Sequence, residues 1–373
     1  MNTCLIVANT EDDFIKQFNS VEFDFEPTLA IILVSVSYDI ELITNTIVEK
    51  DIDTFGSTTC GLFNYNLGDN VNLYDEVIQV LFINIPKESY LLGICAIEDE
   101  IETGTEVSEK INEKESFTNV FTFFSGLNKN NENVLATLRN NLKSKDTIFG
   151  GFAADDLTFK NQYVICNSVV HNEALAYLAI DSTKYKLEGI ATSGWQSIGS
   201  TKIITKSESN QIFEIDKEPA LDYYINSLGI KETDMPVLGV EYPLLLEKNG
   251  KSVLRSVLGV DIEKRSLICA GSVPIGTKMK FSSSPGFEIL ENTIIELKKF
   301  AGGIDKPDLV FVFSCMARHS ALGPMINEEL EAIAALWPIP VFGFFTYGEI
   351  GNSKLLPCEF HNETITLATL TKI

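Results

Sequence analysis

Two hydrophobic periods alternate along this chain. Continuous runs of Val, Ile, Leu and Phe, bounded by small polar residues, read as buried strands. Between them lie segments whose apolar residues recur three or four positions apart, one face of a helix. The clearest unit lies near the C-terminus. Phe311-Val312-Phe313 is an apolar run that ends in Ser314-Cys315-Met316-Ala317-Arg318. Gly323 and Pro324 punctuate, and Pro is tolerated at a helix start. Ile326, Leu330, Ile333 and Trp337 share one helical face, and Pro338 and Pro340 stop it. A second apolar run, Val341-Phe342-Gly343-Phe344-Phe345, ends in Thr346-Tyr347-Gly348-Glu349. Both polar turns fall beyond strand ends, where open α/β sheets usually place ligands.

The same plan occurs twice more. Residues 29–36 form an apolar β-branched run, Asp39 can cap a helix carrying Ile40, Ile43 and Ile47, and Phe55-Gly56-Ser57-Thr58-Thr59-Cys60-Gly61 follows. In the middle, residues 120–126 lead to Leu135, Leu138 and Leu142 on one face. Ile148-Phe149-Gly150-Gly151-Phe152-Ala153-Ala154-Asp155-Asp156 then closes the unit. Three copies of strand, helix, strand and glycine turn predict an internally repeated α/β architecture. Residues 97–117 are charged and read as a loop or exposed helix. From 163 to 215 the helical period disappears, and short β-like runs between turns predict an antiparallel meander. Pro219 opens a helix ending before Gly229, and the boundary between the domains is placed near it. Beyond it, two strands flank the turn Lys248-Asn249-Gly250, and a glycine-rich break spans residues 271–276. The expected fold class is α/β, with two pseudo-repeated lobes of mixed sheets flanked by helices; a stacked αββα sandwich is one such arrangement. The expected divisions are a lead-in at 1–28 and domains at 29–217 and 218–373.

Charge narrows the function. With Lys+Arg 29 and Asp+Glu 52 the net charge is -23, a field that repels nucleic acid and anionic lipid. No apolar segment approaches the roughly 18 residues of a membrane helix, and no basic residue precedes Leu5 as a signal peptide requires. The 7 cysteines are odd in number and none forms a C-x-x-C pair, as expected of reduced thiols in a cytoplasmic protein.

Four polar turns carry the candidate chemistry: residues 57–61, 150–156, 314–318 and 346–349. Gly61 and Gly151 let a ligand approach backbone N–H groups, and Thr58, Thr59, Ser314 and Thr346 offer hydroxyls. Arg318 can hold a carboxylate through two points, or pair internally with Glu349. Asp155, Asp156 or Glu349 can accept from an ammonium, so a small zwitterion such as an amino acid fits the set. Cys60 and Cys315 are thiol candidates, and Cys315 with His319 stands at i, i+4. Three scattered histidines make no metal site. His361, beside Asn362, is the first choice as an axial ligand if haem is bound.

Taken together, these motifs resemble the FIST family of bacterial sensory proteins. The resemblance rests on Gly56-Ser57-Thr58-Thr59-Cys60-Gly61, Phe149-Gly150-Gly151-Phe152-Ala153-Ala154-Asp155 and Gly194-Trp195-Gln196-Ser197-Ile198-Gly199. It extends over residues 214–224, Phe313-Ser314-Cys315 with Arg318, residues 343–350 with Tyr347, and His361-Asn362 with Thr364. It implies a FIST N-like domain at 29–217, a FIST C-like domain at 218–373, and an intracellular sensor of an amino acid or related small polar molecule. Some family members have been linked to haem, which makes a haem-based gas or redox sensor the alternative; otherwise no cofactor is expected. A cysteine-dependent enzyme is the second alternative, though catalysis is not expected. Leu62 stands where the family's first glycine turn tends to carry an acid. No kinase, cyclase or receiver pattern is left over. The expected output therefore runs through a separate signalling protein such as a kinase, a cyclase or a chemotaxis protein, with no nucleic-acid or membrane partner.

Overall fold

Each strand–helix–strand repeat closes on itself as a parallel strand pair. Leu29–Val34 pairs with Asp53–Thr58 around the helix Ile40–Val48, which Asp39 caps by accepting from the Leu42 N–H. Asn119–Phe124 pairs with Ile148–Phe152 around Asn131–Asn141. Leu309–Cys315 pairs with Val341–Thr346 around Met316–Leu322 and Ile326–Ala334. These relations come from a computed structural model that describes residues 1–66, 70–126, 131–143, 147–235, 237–248, 251–282, 286–352 and 358–373.

An antiparallel strand flanks the first strand of each pair: Ile78–Ile83, Ala174–Ile180 and Ile365–Lys372 respectively. The other flank is borrowed. After Asp53–Thr58 the chain crosses over, and Leu62–Tyr65 pairs with Val341–Thr346. After Ile148–Phe152, the strand Val164–Cys166 pairs with Asp53–Thr58. After Val341–Thr346, Glu349–Gly351 pairs with Ile148–Phe152. The three repeats thus exchange strands in a ring, and each of the three resulting sheets has six strands.

Burial on both faces explains the uninterrupted apolar strands. The inner faces of all three sheets share one core, in which Phe55 stacks on Phe123 at 4.7 Å and Phe121 meets Phe311 at 5.0 Å. Helices cover the outer faces: Phe14, Ile43 and Ile47 on the first sheet, Val107, Val134 and Leu138 on the second, Leu297, Leu330 and Ile333 on the third. A fourth, eight-stranded sheet is built from strands between residues 197 and 282. It packs on the helix Ala220–Leu228, whose Leu221 and Tyr224 are buried among Ile204, Ile215 and Leu267. That helix starts after Pro219 and ends on Gly229, whose φ of 67° is the left-handed cap glycine favours.

The mixed α/β class is the expected one. One local expectation changes, and a second resolves to one of its two alternatives. The strands of residues 163–215 do not form one meander: Val164–Cys166 and Val169–His171 join the first sheet, Ala174–Ile180 the second, Tyr185–Thr192 the third, and Ser197–Glu208 and Gln211–Ile215 the fourth. Residues 97–117 contain a helix, Glu100–Asn112, capped by Asp99 and buried through Val107 and Ile111. Leu244–Lys248 and Lys251–Arg255 pair antiparallel, while Asn249 and Gly250 of the expected turn lie outside the described residues.

Candidate functional site

Strand exchange brings three glycine turns to one point. The Ala154 N–H donates to Thr58 O at 3.0 Å, Phe345 N–H to Gly61 O at 2.9 Å, and Tyr347 N–H to Phe152 O at 3.2 Å. The junction is solid. Thr58, Thr59 and Thr346 are fully buried. Thr59 Oγ1 donates to Gly61 O at 2.6 Å, Thr346 Oγ1 donates to Glu349 at 2.6 Å, and Thr58 Oγ1 receives the Tyr163 N–H at 2.9 Å. A Cβ on Gly151 would meet Thr346 Cγ2 at 2.8 Å. The small residues therefore lock the turns together, and open space begins beside them.

The charged groups of the turns are committed internally. Arg318 uses all five donors: Nε and Nη2 to Glu329 at 3.0 and 2.5 Å, Nη2 to Thr293 at 2.9 Å, Nη1 to Ser193 O at 2.5 Å and Glu363 O at 3.2 Å. Its guanidinium also lies over Trp195, 5.2 Å from the ring centroid. Its ionic partner is Glu329, not Glu349, and no donor remains for a ligand carboxylate. Asp155 accepts from the backbone N–H groups of Thr158, Phe159, Lys160 and Asn161 and from the Tyr347 hydroxyl. Burial pushes its pKa up, but the Asn161 N–H, the Tyr347 hydroxyl, Thr158 and the Lys160 N–H outweigh burial and hold it far below the carboxylate range. Asp155 thus organises a loop in which Leu157 and Phe159 take left-handed φ values of 60° and 56°.

Glu349 and Glu363 behave oppositely. Glu349 is fully buried and accepts from Thr346 and Thr364, each at 2.6 Å. Burial pushes it up to about 8, with those hydroxyls pulling down and Glu363 adding to the rise. Glu363 is fully buried, accepts from Ser256 Oγ at 2.6 Å, and has no partner on Oε2. Burial raises it to about 8 against the Ser256 hydrogen bond and the nearby Arg318 charge. Between the ordinary 4.5 and about 8 the folded chain holds more protons here than the unfolded chain. These groups therefore favour folding most below about 4.5, and that advantage is lost as pH rises through 8. Urea unfolding should give a lower midpoint near pH 9 than near pH 6, with Glu349→Gln flattening the decline; an unchanged slope in that variant contradicts the assignment.

Two connected recesses lie between the three-sheet body and the eight-stranded sheet. The larger is a cleft of about 680 Å³. The body contributes Asn131, Phe159, Lys160 and Glu173 to its lining, and the fourth sheet contributes Asn210 and Ser272. Asn131 is 1% exposed; its Nδ2 donates to Ser125 O at 3.2 Å and Gly126 O at 2.8 Å, and its Oδ1 has no partner. The smaller recess is a chamber of about 100 Å³ lined by Ser256, Cys315, Met316, Tyr347 and Asn362 among others. Phe159, Val240, Leu258 and Ala270 line both. Phe159 stacks on Tyr347 at 4.5 Å, so the wall of the chamber is also the clasp of the Asp155 loop. Glu132 ties the two sides together: it accepts from Arg255 Nη2 at 2.5 Å and from the Ser272 N–H at 2.8 Å.

Of the residues singled out in the sequence, Cys315, Tyr347 and Asn362 line the chamber. Thr58, Thr59, Gly61, Gly151, Asp155, Thr346 and Glu349 form the packed junction behind it. Ser314 is fully buried in its strand with Oγ unpartnered. His361 is 4% exposed, its Nε2 lies 3.0 Å from Gly351 O, and it lines neither recess, so its position does not fit an axial haem ligand. The linings contain no histidine at all. Burial raises the thiols of Cys60 and Cys315 far above their ordinary range, with nearby carboxylates adding to the rise. His319, four residues on from Cys315, stacks on Phe345 at 4.5 Å. Asn131, Ser256 and Glu363 were not anticipated, although Asn362 and Thr364, which bracket Glu363, were singled out in the sequence.

A mixed α/β body, with a ligand-sized recess where it meets a second sheet, defines the class of architecture. The FIST N domain matches residues 28–218 and the FIST C domain residues 220–352. The chain therefore belongs to the FIST family, whose domains are associated with sensory signal transduction. No curated protein matches it. No helix among the described residues is long and apolar enough to cross a membrane.

Proposed function

We propose that this protein is a cytoplasmic sensor that binds a small polar molecule, an amino acid or a relative of one, in the cleft between the three-sheet body and the eight-stranded sheet. One observation carries the reading: a recess of about 680 Å³ lined from both sides, with the buried Asn131 Oδ1 left without a partner. Lys160 and Glu173 bring both signs of charge to its lining. Recognition rests on these residues rather than on Arg318, whose donors are occupied. The tie from Glu132 to Arg255 and Ser272 crosses beside the cleft, so an occupant there shifts how the two sides meet. The signal then passes to a separate protein such as a kinase, a cyclase or a chemotaxis protein. The raised thiol pKa values of Cys60 and Cys315 favour binding over thiol catalysis.

Thermal unfolding across an amino-acid panel tests this. A true ligand at a hundredfold excess over its Kd should stabilise the protein by about 2.7 kcal/mol. Ala270→Trp, which fills the neck shared by both recesses, should abolish the shift while leaving the unliganded transition in place. A panel without any shift, or an equal shift in the variant, overturns the reading.

A further inference from the structure

The walls of the smaller chamber differ in kind from those of the cleft. Leu157, Val240, Leu258, Met316 and Ala317 line it, and among the described residues its lining holds no Asp, Glu, Lys, Arg or His. A charged group entering it would lose water without gaining a counter-charge. Two of its hydroxyls are already spent: Ser256 Oγ donates to Glu363 at 2.6 Å, and the Tyr347 hydroxyl donates to Asp155 O at 2.9 Å. One buried acceptor is left over. Asn362 lines the chamber, is 1% exposed, and has no partner on Oδ1. An interior acceptor of this kind normally finds a donor. The Asp155 loop points the same way. Leu157 and Phe159 both line the chamber, yet each is 51% exposed. Asp155 holds their loop by accepting from the Thr158 and Phe159 N–H groups, with both residues in left-handed backbone. Large apolar side chains kept half exposed at a backbone cost, beside a recess, are surface for an occupant to cover.

We propose that the chamber selects the ligand by its tail: an uncharged aliphatic segment of about four non-hydrogen atoms, ending in one hydroxyl that Asn362 Oδ1 accepts from. The proposal rests on the cleft reading above and narrows it, from any amino acid or relative to one with a short neutral tail of this kind. Size follows from volume. An apolar cavity of about 150 Å³ takes the six carbons of benzene. At about 100 Å³ the chamber has room for two-thirds of that, and not for a ring. The charged head stays in the cleft, where Asn131 Oδ1 accepts from an N–H and Lys160 and Glu173 supply both signs of charge. Phe159, Val240, Leu258 and Ala270 line both recesses, so the tail passes between them. Each methylene that enters the apolar walls adds roughly fourfold in affinity. The lone acceptor decides how the tail must end, because a hydrocarbon end strips Asn362 Oδ1 of water and leaves it unpaired.

Isothermal titration of the full chain with norleucine, δ-hydroxynorvaline, ornithine and phenylalanine tests this. The first three have side chains of equal length that end in a methyl, a hydroxyl and an ammonium; the fourth carries a ring. The hydroxyl compound should bind at least about tenfold more tightly than norleucine. Ornithine and phenylalanine should bind more weakly than either. Ala317→Leu fills the chamber from the helix Met316–Leu322 and leaves the lining of the cleft alone. It should bring δ-hydroxynorvaline down to the affinity of alanine, while alanine binds as it does to the wild type. Asn362→Leu removes the acceptor at similar size and should place norleucine above δ-hydroxynorvaline. No binding of δ-hydroxynorvaline, norleucine or ornithine binding as tightly as it does, or an Ala317→Leu protein that discriminates like the wild type each overturns the proposal. The two readings fail separately. If panel compounds shift unfolding and Ala270→Trp abolishes the shift, while norleucine or ornithine matches δ-hydroxynorvaline, the tail alone is wrong. If Ala270→Trp changes nothing, the cleft is wrong as well.

Discussion

Arg318→Met should cost about 3–5 kcal/mol of unfolding free energy, measured by urea denaturation. The guanidinium is fully buried, and every donor is engaged, two of them by the equally buried Glu329. Removing it leaves a carboxylate in the interior without its cation and strands the carbonyls of Ser193 and Glu363. Lys should not rescue the site, because an ammonium cannot reproduce the planar fork that reaches Glu329, Thr293 and two carbonyls at once. The double variant Arg318→Met, Glu329→Leu should recover most of the loss, since no unpaired charge then remains. If Arg318→Met instead unfolds like the wild type and loses its ligand response, Arg318 is a ligand contact and the site described here is misplaced.

Gly150→Ala should fail to accumulate as folded protein, a loss of more than about 4 kcal/mol. Gly150 sits at the second strand of the middle repeat with φ at 154°, and a Cβ there would lie 1.8 Å from the Thr122 backbone oxygen. That oxygen belongs to the parallel partner strand, so the clash is with backbone and cannot be relieved by a rotamer. Gly199→Ala is the contrasting case. Its φ of 76° is also strained, but nothing lies within 4 Å of the new atom, so its cost should stay near about 1–2 kcal/mol. Circular dichroism and soluble yield compare the two; equal behaviour would mean that the parallel pair Asn119–Phe124 and Ile148–Phe152 tolerates widening.

The repeats were legible because strand and helix leave different periods in the sequence. Phe121 and Phe123, or Ile40, Ile43 and Ile47, announce their elements locally. The exchange of strands was not legible. Leu62–Tyr65 pairs with Val341–Thr346, far away in the chain, and nothing in an apolar run specifies the edge it will join. The glycine turns stood out in the sequence, and in the structure they pack closely, as the contact between Gly151 and Thr346 illustrates. Asp155 was visible as an acid beside glycines, whereas its engagement by four backbone N–H groups depends on a loop conformation that composition does not encode. Arg318 stood out as a cation, but Glu329 lies beyond a helix break and shares no periodic face with it. Glu363 was passed over although Asn362 and Thr364 on either side of it stood out, because its burial and its contact with Ser256 depend on the fold.

The most direct test of the cleft is native mass spectrometry of the intact protein with each panel compound, comparing wild type with Ala270→Trp. The account predicts a one-to-one complex of the wild type with at least one small polar ligand, absent from the tryptophan variant at the same concentration. A complex that persists in Ala270→Trp, or a wild-type protein that retains no compound, would contradict it.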